Sequence, residues 1–276
     1  MAGFDDIPRI VRARGDVAVW EIGKGEPVLV LHGFPDAPVG MTPLVDRLVA
    51  QGFRCLVPAL PGYLPSGPVA NYHCANIAND MRAVLDAYGM AQVPVVGHDW
   101  GGCVALDLGA AHADRVSRVV SLAIPHPAGF AARRRDLQEQ KTAAYAWILA
   151  YSGNAAQLAA DPFWLDQIHE EWSPGLTREE WPTVKGVLAQ PGVAEAVHGW
   201  YRDDFESATS TGDVLVPTLM LHGTNDGCIR PACFRGFEER FPAGLELEEL
   251  PGVGHWLHCE APDVVADRIV RFLREE

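Results

Sequence analysis

The sequence predicts an α/β fold, a mainly parallel sheet flanked by helices with an inserted helical lid. Three observations predict it. Strand-like and helix-like segments alternate through the first 126 residues, the pattern of right-handed crossovers between parallel strands. Val28-Leu29-Val30-Leu31 is apolar at every position, as expected of a strand buried on both faces of a parallel sheet. The alternation then stops over 127–212, where helical patterns carry five of the eight tryptophans (Trp147, Trp164, Trp172, Trp181 and Trp200), and strand character returns at Pro217-Thr218-Leu219-Met220-Leu221. The expected division is therefore 1–126 for the first part of the core, 127–212 for the cap and 213–276 for the second part of the core.

In order along the chain, Val17–Ile22 reads as an early strand, and the turn Gly23-Lys24-Gly25 leads into the buried strand 28–31. A helix is expected near 41–50, a strand over Arg54–Val57, a loop rich in Pro and Gly over 58–68, and a helix from Ala75 to Tyr88 stopped by Gly89. A strand at Val93–Val96, a helical pattern at Cys103–Leu108 and a strand at Val119–Ile124 complete the first part. Within the cap, Ser152-Gly153, Ser173-Pro174-Gly175 and Pro191-Gly192 punctuate the helices. A helix near 231–240, a strand at Leu245–Leu250 and a closing helix from Pro262 to Arg274 follow. Leu31-His32-Gly33 recurs as Leu221-His222-Gly223, which reads as two strands ending alike.

The chain has 276 residues, 48% of them hydrophobic, which suits a soluble globular protein with one large core and an insertion. A formal net charge of −14 argues against nucleic acid or an anionic membrane as partner. The basic run Arg133-Arg134-Arg135 reads as a solvated helix face. The amino terminus has no signal-peptide pattern, and no apolar run reaches membrane-spanning length. The six cysteines form no Cys-x-x-Cys pair and read as small buried residues of a reducing cytoplasm. No His, Cys and carboxylate cluster has metal-ligand spacing, so no metal is expected.

The chemistry concentrates in three segments at expected carboxyl ends of strands. Gly97-His98-Asp99-Trp100-Gly101-Gly102 lies between a strand and a helix, the context of a nucleophile elbow. Its apex is Asp99 where serine is usual. A carboxylate attacking an ester gains nothing, because the anhydride formed is no easier to hydrolyse. On a saturated carbon bearing a strained or good leaving group it forms an ester that water can open. The second segment ends β-like character at His222 and contains Asp226, and the third is Gly252-Val253-Gly254-His255-Trp256. In this arrangement His255 is the base and Asp226 orients it. The plain alternatives are a helix-capping role for Asp99, a turn aspartate at Asp226 with Asp213 as rival acid, and a surface-loop role for His255 with His258 as rival base. Backbone N–H groups of Phe34 and Trp100 are candidate donors to an oxyanion on Asp99. His32 is read as structural, and Phe34-Pro35 is a candidate cis peptide.

These residues, His32-Gly33-Phe34-Pro35, the aspartate elbow, Asp226 and Gly254-His255, resemble the epoxide hydrolase branch of the α/β-hydrolase superfamily over nearly the whole chain. The nucleophile–acid–histidine order is that of the α/β-hydrolase fold. The resemblance implies two cap tyrosines that donate to the epoxide oxygen. One matches Tyr201 in Gly199-Trp200-Tyr201-Arg202. The other falls on Tyr145, eight residues before Gly153, with Tyr151 as the substitute. It further implies a small apolar epoxide as substrate, no metal or organic cofactor, and a monomer or homodimer. Haloalkane dehalogenases share the aspartate and the adjacent tryptophan, but a common second halide donor, asparagine, is replaced here by Phe34. Fluoroacetate dehalogenases place arginines after the nucleophile, unlike Trp100-Gly101-Gly102-Cys103. A non-catalytic receptor on the same fold is the reading from another class. A serine esterase is disfavoured because no Gly-x-Ser-x-Gly occurs.

Overall fold

The computed structural model describes residues 3–204 and 211–275. Residues 205–210, at the end of the expected cap, Met1-Ala2 and Glu276 lie outside them. Among the described residues the strands are β1 (Arg9–Arg12), β2 (Asp16–Gly23), β3 (Glu26–Leu31), β4 (Phe53–Pro58), β5 (Val93–His98), β6 (Val116–Leu122), β7 (Thr218–Gly223) and β8 (Leu245–Leu250). They form one sheet in the order β1-β2-β4-β3-β5-β6-β7-β8. The first two pairings, β1 with β2 and β2 with β4, are antiparallel, and the rest are parallel.

The core helices are α1 (Thr42–Ala50), α2 (Cys74–Ala87), α3 (Trp100–Ala111), α11 (Leu257–Glu260) and α12 (Pro262–Arg274). Alternation along the central strands distributes their side chains to two apolar layers. Val28 and Val30 of β3 pack with Leu44 and Leu48 of α1 and Val265 and Ile269 of α12. Leu29 and Leu31 join the opposite layer with Ile77, Met81, Val104 and Leu108 from α2 and α3. Between β6 and β7 the chain inserts α4 (Pro127–Arg133), α5 (Leu137–Thr142), α6 (Ala144–Tyr151), α7 (Ala155–Ala160), α8 (Pro162–Trp172), α9 (Trp181–Leu188) and α10 (Val193–Asp204). No helix among the described residues is long and apolar enough to cross a membrane.

Two details differ from the sequence reading. β1 was not expected, because only Val11 of its four residues is buried and so it carries no periodic signal. The expected helix near 231–240 is two short 3₁₀ turns, Pro231–Phe234 and Glu238–Arg240, separated by Gly236 at φ +84°. The extended backbone of Arg235, at φ −137° and ψ 146°, ends the first turn, and the positive φ of Gly236 redirects the chain before the second. Phe34-Pro35 is cis. The strand order reverses between β3 and β5, which puts the crevice for a ligand beyond their carboxyl ends.

Candidate active site

Asp99 sits between β5 and α3 at φ +51° and ψ −124°, a conformation costing a non-glycine residue about 1–3 kcal/mol. The turn holds because the flanking backbone can close in. A Cβ on Gly97 would lie 2.0 Å from the Gly101 carbonyl oxygen. The carbonyl of Asp99 accepts from the N–H groups of Gly102 and Cys103 at 2.7 and 3.1 Å, while its side chain makes no capping hydrogen bond. The carboxylate is therefore free of the capping role and points into the crevice. Its Oδ1 accepts from the Phe34 N–H at 2.8 Å. The loop after β3 comes this close because residue 33 is glycine; a Cβ there would lie 2.4 Å from Asp99 Oδ1.

His255 faces the other oxygen, with Nε2 3.7 Å from Asp99 Oδ2. That distance is beyond a hydrogen bond. Its Nδ1–H donates to Asp226 Oδ2 at 2.9 Å. Asp226 is fixed in turn, because its Oδ1 accepts from the N–H groups of Cys228 and Ile229 at 2.7 and 2.9 Å. Burial disfavours a charge on His255, but Asp226 and Asp99 outweigh it and push His255 up to about 10.

The rival residues lie elsewhere. Asp213 pairs with Arg240 at 3.1 Å with both side chains about half exposed. His258 is buried beside Asp36, 3.9 Å from its Oδ2. His32 bridges backbone, with Nδ1–H donating to the Gly33 oxygen at 3.0 Å and Nε2 accepting from the Leu60 N–H at 3.1 Å. His222 repeats the first contact with the Gly223 oxygen at 3.3 Å, so the two Leu-His-Gly strands do end alike.

A cavity of about 640 Å³ opens over Asp99. Trp100, Cys103, Ile124, Phe130, Ile148 and Ile229 give it an apolar wall, with Arg134, Glu139 and Gln140 also lining it. Arg134 of the basic run thus borders the cavity. Tyr201 of α10 and Tyr145 of α6 line it as well, with ring centroids 6.0 Å apart and edges crossed. The Tyr201 ring meets Trp100 at 5.1 Å and Phe34 at 5.7 Å. The Tyr145 hydroxyl lies 3.1 Å from Cys228 Sγ. Burial, with the Asp99 charge adding to it, holds both phenols well above their ordinary value. Both are therefore protonated donors at neutral pH. Tyr151 stacks on Trp147 at 5.7 Å and is 55% exposed, outside the cavity lining. The geometry thus brings Tyr145, not Tyr151, to the site.

Several neighbours escaped the sequence reading. Asp36 and His98 adjoin motifs that were read for other residues. Arg178, Trp172 and Cys228 carry no local signal, because their partners are distant in sequence. All six cysteines are unbridged. Two trios, Asp226-Cys228-His255 and Asp36-His98-His258, bring their polar atoms within 4.8 Å of one another. Neither has the character of a cation site: the first is occupied by the Asp226–His255 hydrogen bond, and Arg178 already places a positive charge on Asp36.

Known proteins agree with this architecture. Epoxide hydrolase from Caballeronia sordidicola is 26% identical over 302 aligned positions, covering 93% of this chain and 90% of that protein. Epoxide hydrolase A from Mycobacterium tuberculosis is 25% identical, covering 96% of each chain. The crystal structure of epoxide hydrolase VrEH1 from Vigna radiata superposes with a TM-score of 0.82 over 99% of both chains at 21% identity, a likeness of fold. The family described as alpha/beta hydrolase fold matches residues 26–262, and the chain belongs to it.

Proposed function

We propose that the protein is an epoxide hydrolase. The observation that carries this reading is a carboxylate at the elbow apex sharing one largely apolar cavity with two protonated tyrosines, Tyr201 buried and Tyr145 half-buried. The Caballeronia and mycobacterial relatives named epoxide hydrolases support it. In the proposed cycle Asp99 Oδ2 attacks an oxirane carbon while Tyr201 and Tyr145 donate hydrogen bonds to the oxygen. The C–O bond of the ring breaks and a hydroxyalkyl ester forms. Esterification also removes the Asp99 charge, one of the two carboxylates that keep His255 protonated. The proton His255 then sheds balances the one gained by the opened oxygen, and the histidine is left neutral as the base that water needs. Water loses a proton to His255 and adds to the ester carbonyl. The resulting oxyanion develops on Oδ1, beside the Phe34 N–H, with the Trp100 N–H at the start of α3 as second donor. Collapse releases a vicinal diol and restores the Asp99 carboxylate and the His255 imidazolium.

The test is a single turnover in oxygen-18 water with excess enzyme. The diol is expected unlabelled, its new hydroxyl coming from Asp99. Label in the diol would mean that water attacks the epoxide directly, and the ester mechanism would be wrong. A haloalkane dehalogenase is the second reading, because the Trp100 indole borders the cavity. Bromoalkane turnover without epoxide turnover would establish it instead.

A further inference from the structure

Arg178 belongs to the cap segment between α8 and α9, yet its side chain is wholly buried. Its Nη2 donates to both oxygens of Asp36 at 3.1 Å, and its Nε donates to Glu180 Oε1 at 2.8 Å. The guanidinium lies 5.6 Å from the Trp181 ring and 5.5 Å from the Trp256 ring. Asp36 follows Pro35 in the loop that brings the Phe34 N–H to Asp99, and it too is wholly buried. On its other side stands His258, with Nε2 3.9 Å from Oδ2. His258 packs on His98 at 4.5 Å between ring centroids, and His98 packs on His255 at 4.9 Å. The His98 Nε2–H donates to the His255 carbonyl at 3.1 Å. A continuous buried row thus runs Arg178, Asp36, His258, His98, His255, Asp226.

A carboxylate sealed from water needs a cation beside it, or it takes up a proton itself, which burial favours for Asp36 and Arg178 opposes. Two groups flank Asp36 and can supply the cation. The guanidinium is always charged, whereas the imidazole becomes a cation only by taking up a proton. The group that answers Asp36 decides whether the row holds one imidazolium or two. A second imidazolium would repel the charge on His255 and weaken it as a base.

We propose that Arg178, supplied by the cap, is a positioning residue for the base: by neutralising Asp36 it keeps His258 and His98 uncharged, so that His255 alone in the row takes up and gives back a proton. The proposal rests on the reading of His255 as the base. Burial holds His258 well below its ordinary value, and Arg178 and His255 push the same way, while the Gly40 carbonyl favours a proton. For His98, burial again leads, followed by His258 and His255, with Arg178 adding to them. The remaining groups around His258 are met locally. The Cys259 Sγ–H donates to Glu180 Oε1 at 3.5 Å, Glu180 pairs with Arg178, and Glu260 accepts from Ser173 Oγ and the Gly254 N–H.

The experiment compares wild type, Arg178→Met, Arg178→Lys and the double variant Arg178→Met/Asp36→Asn. Nitrogen-15 spectra of the imidazoles, recorded from about pH 5 to about pH 9, read the charge without any substrate. In wild type and Arg178→Lys, His98 and His258 are expected neutral throughout. In Arg178→Met, His258 is expected to gain a proton within that range, and in the double variant to lose it again. In single turnovers on an epoxide, ester hydrolysis is expected to slow roughly tenfold or more in Arg178→Met and to recover in the double variant, with alkylation changed by less than about threefold. A neutral His258 in Arg178→Met, or hydrolysis equally slow in the single and double variants, would reduce Arg178 to a packing role. A charged His258 in Arg178→Lys would also overturn the proposal. If no variant or wild type opens epoxides, the spectra still decide the charge question, and the failure belongs to the proposed reaction.

Discussion

The two sides of the cap meet the core in different ways. On one side, the end of α8 is bonded directly to the loops that carry Asp226 and His255. The Trp172 carbonyl accepts from the His255 N–H at 3.0 Å and the Gly227 N–H at 3.3 Å. Ser173 Oγ donates to Glu260 at 2.6 Å and accepts from the Trp256 N–H at 3.2 Å, and Arg178 completes the joint at Asp36. On the other side, α5 and α6 leave Leu137, Trp147, Ile148 and Tyr151 exposed, although Trp147 and Ile148 border the cavity. The difference separates two tasks. Under the proposed function, the bonded side fixes the geometry of His255 and Asp226, and the open side shapes and admits the substrate. The two sides meet where Tyr145 of α6 packs on Trp172 of α8, with ring centroids 4.7 Å apart.

The largest effects are expected at the carboxylate and the base. Asp99→Ala should reduce turnover by about 10⁴-fold or more, because no ester can form. His255→Gln should still be alkylated and should accumulate the ester, visible as a mass gain of one substrate per chain; near wild-type turnover would show that His255 is not the base. His255 also makes stability depend on pH. Its value is raised from 6.5 to about 10 in the fold. The folded protein therefore binds the proton more tightly, and this contribution is full below about pH 6.5 and is lost as pH rises through about 10. Denaturant titrations should show the gap between wild type and His255→Gln shrinking over that window. A gap that widens toward high pH would contradict a charged resting histidine.

Next in size are the tyrosines, where the two sides meet. An alkoxide is a poor leaving group, so a donor that strengthens as charge develops is worth about 2–4 kcal/mol. Tyr201→Phe should slow alkylation roughly ten- to a thousandfold, and Tyr201→Phe with Tyr145→Phe should leave almost none. Tyr145→Phe alone should be costly, whereas Tyr151→Phe should be silent. Loss of activity in Tyr151→Phe alone would mean that the open side rearranges when substrate binds.

How much of this was legible follows from what each residue contacts. Asp99, Asp226 and His255 end or follow strands at fixed places in an α/β sheet, so short motifs mark them. Tyr201 was marked by Trp200 and Arg202. Tyr145 was marked only by its spacing to Gly153, with Tyr151 kept as the substitute, because both lie on one helix; the packing against Trp172 and Cys228 is what distinguishes them in the fold. The Arg178–Asp36 pair joins residues 142 positions apart, beyond any local pattern. The region 231–240 misled for a related reason: its apolar residues face Gly129 and His222 through two short turns, and they imitate a helical period without forming one.

On the bonded side, Ser173→Ala should leave the Trp256 N–H and a Glu260 oxygen without their partner in a buried joint. The expected loss is about 1–3 kcal/mol of stability. If the joint positions the base, ester hydrolysis should slow more than alkylation in the same variant. A stability loss with both half-reactions unchanged would make the joint structural only.

The smallest effect on the scaffold is expected on the open side, at Trp147. Its ring is 43% exposed, stacks on Tyr151 and borders the cavity. Trp147→Ala removes cavity wall but leaves the hydrogen bonds around Asp99, Asp226 and His255 in place. Stability should change by no more than about 0.5 kcal/mol, as for other surface substitutions. Contact with the distal part of a substrate contributes equally to the bound substrate and to the transition state, so its loss should raise KM and spare kcat. The rise should be a few-fold for a bulky apolar epoxide, with one CH₂ worth about 0.8 kcal/mol of burial, and negligible for one too short to reach the α6 wall. Steady-state kinetics on two epoxides of different length, with thermal unfolding alongside, would measure all three quantities. If kcat falls for both substrates, or unfolding shifts as far as in Ser173→Ala, the open side is mechanically tied to the base, and the division between the two sides of the cap fails.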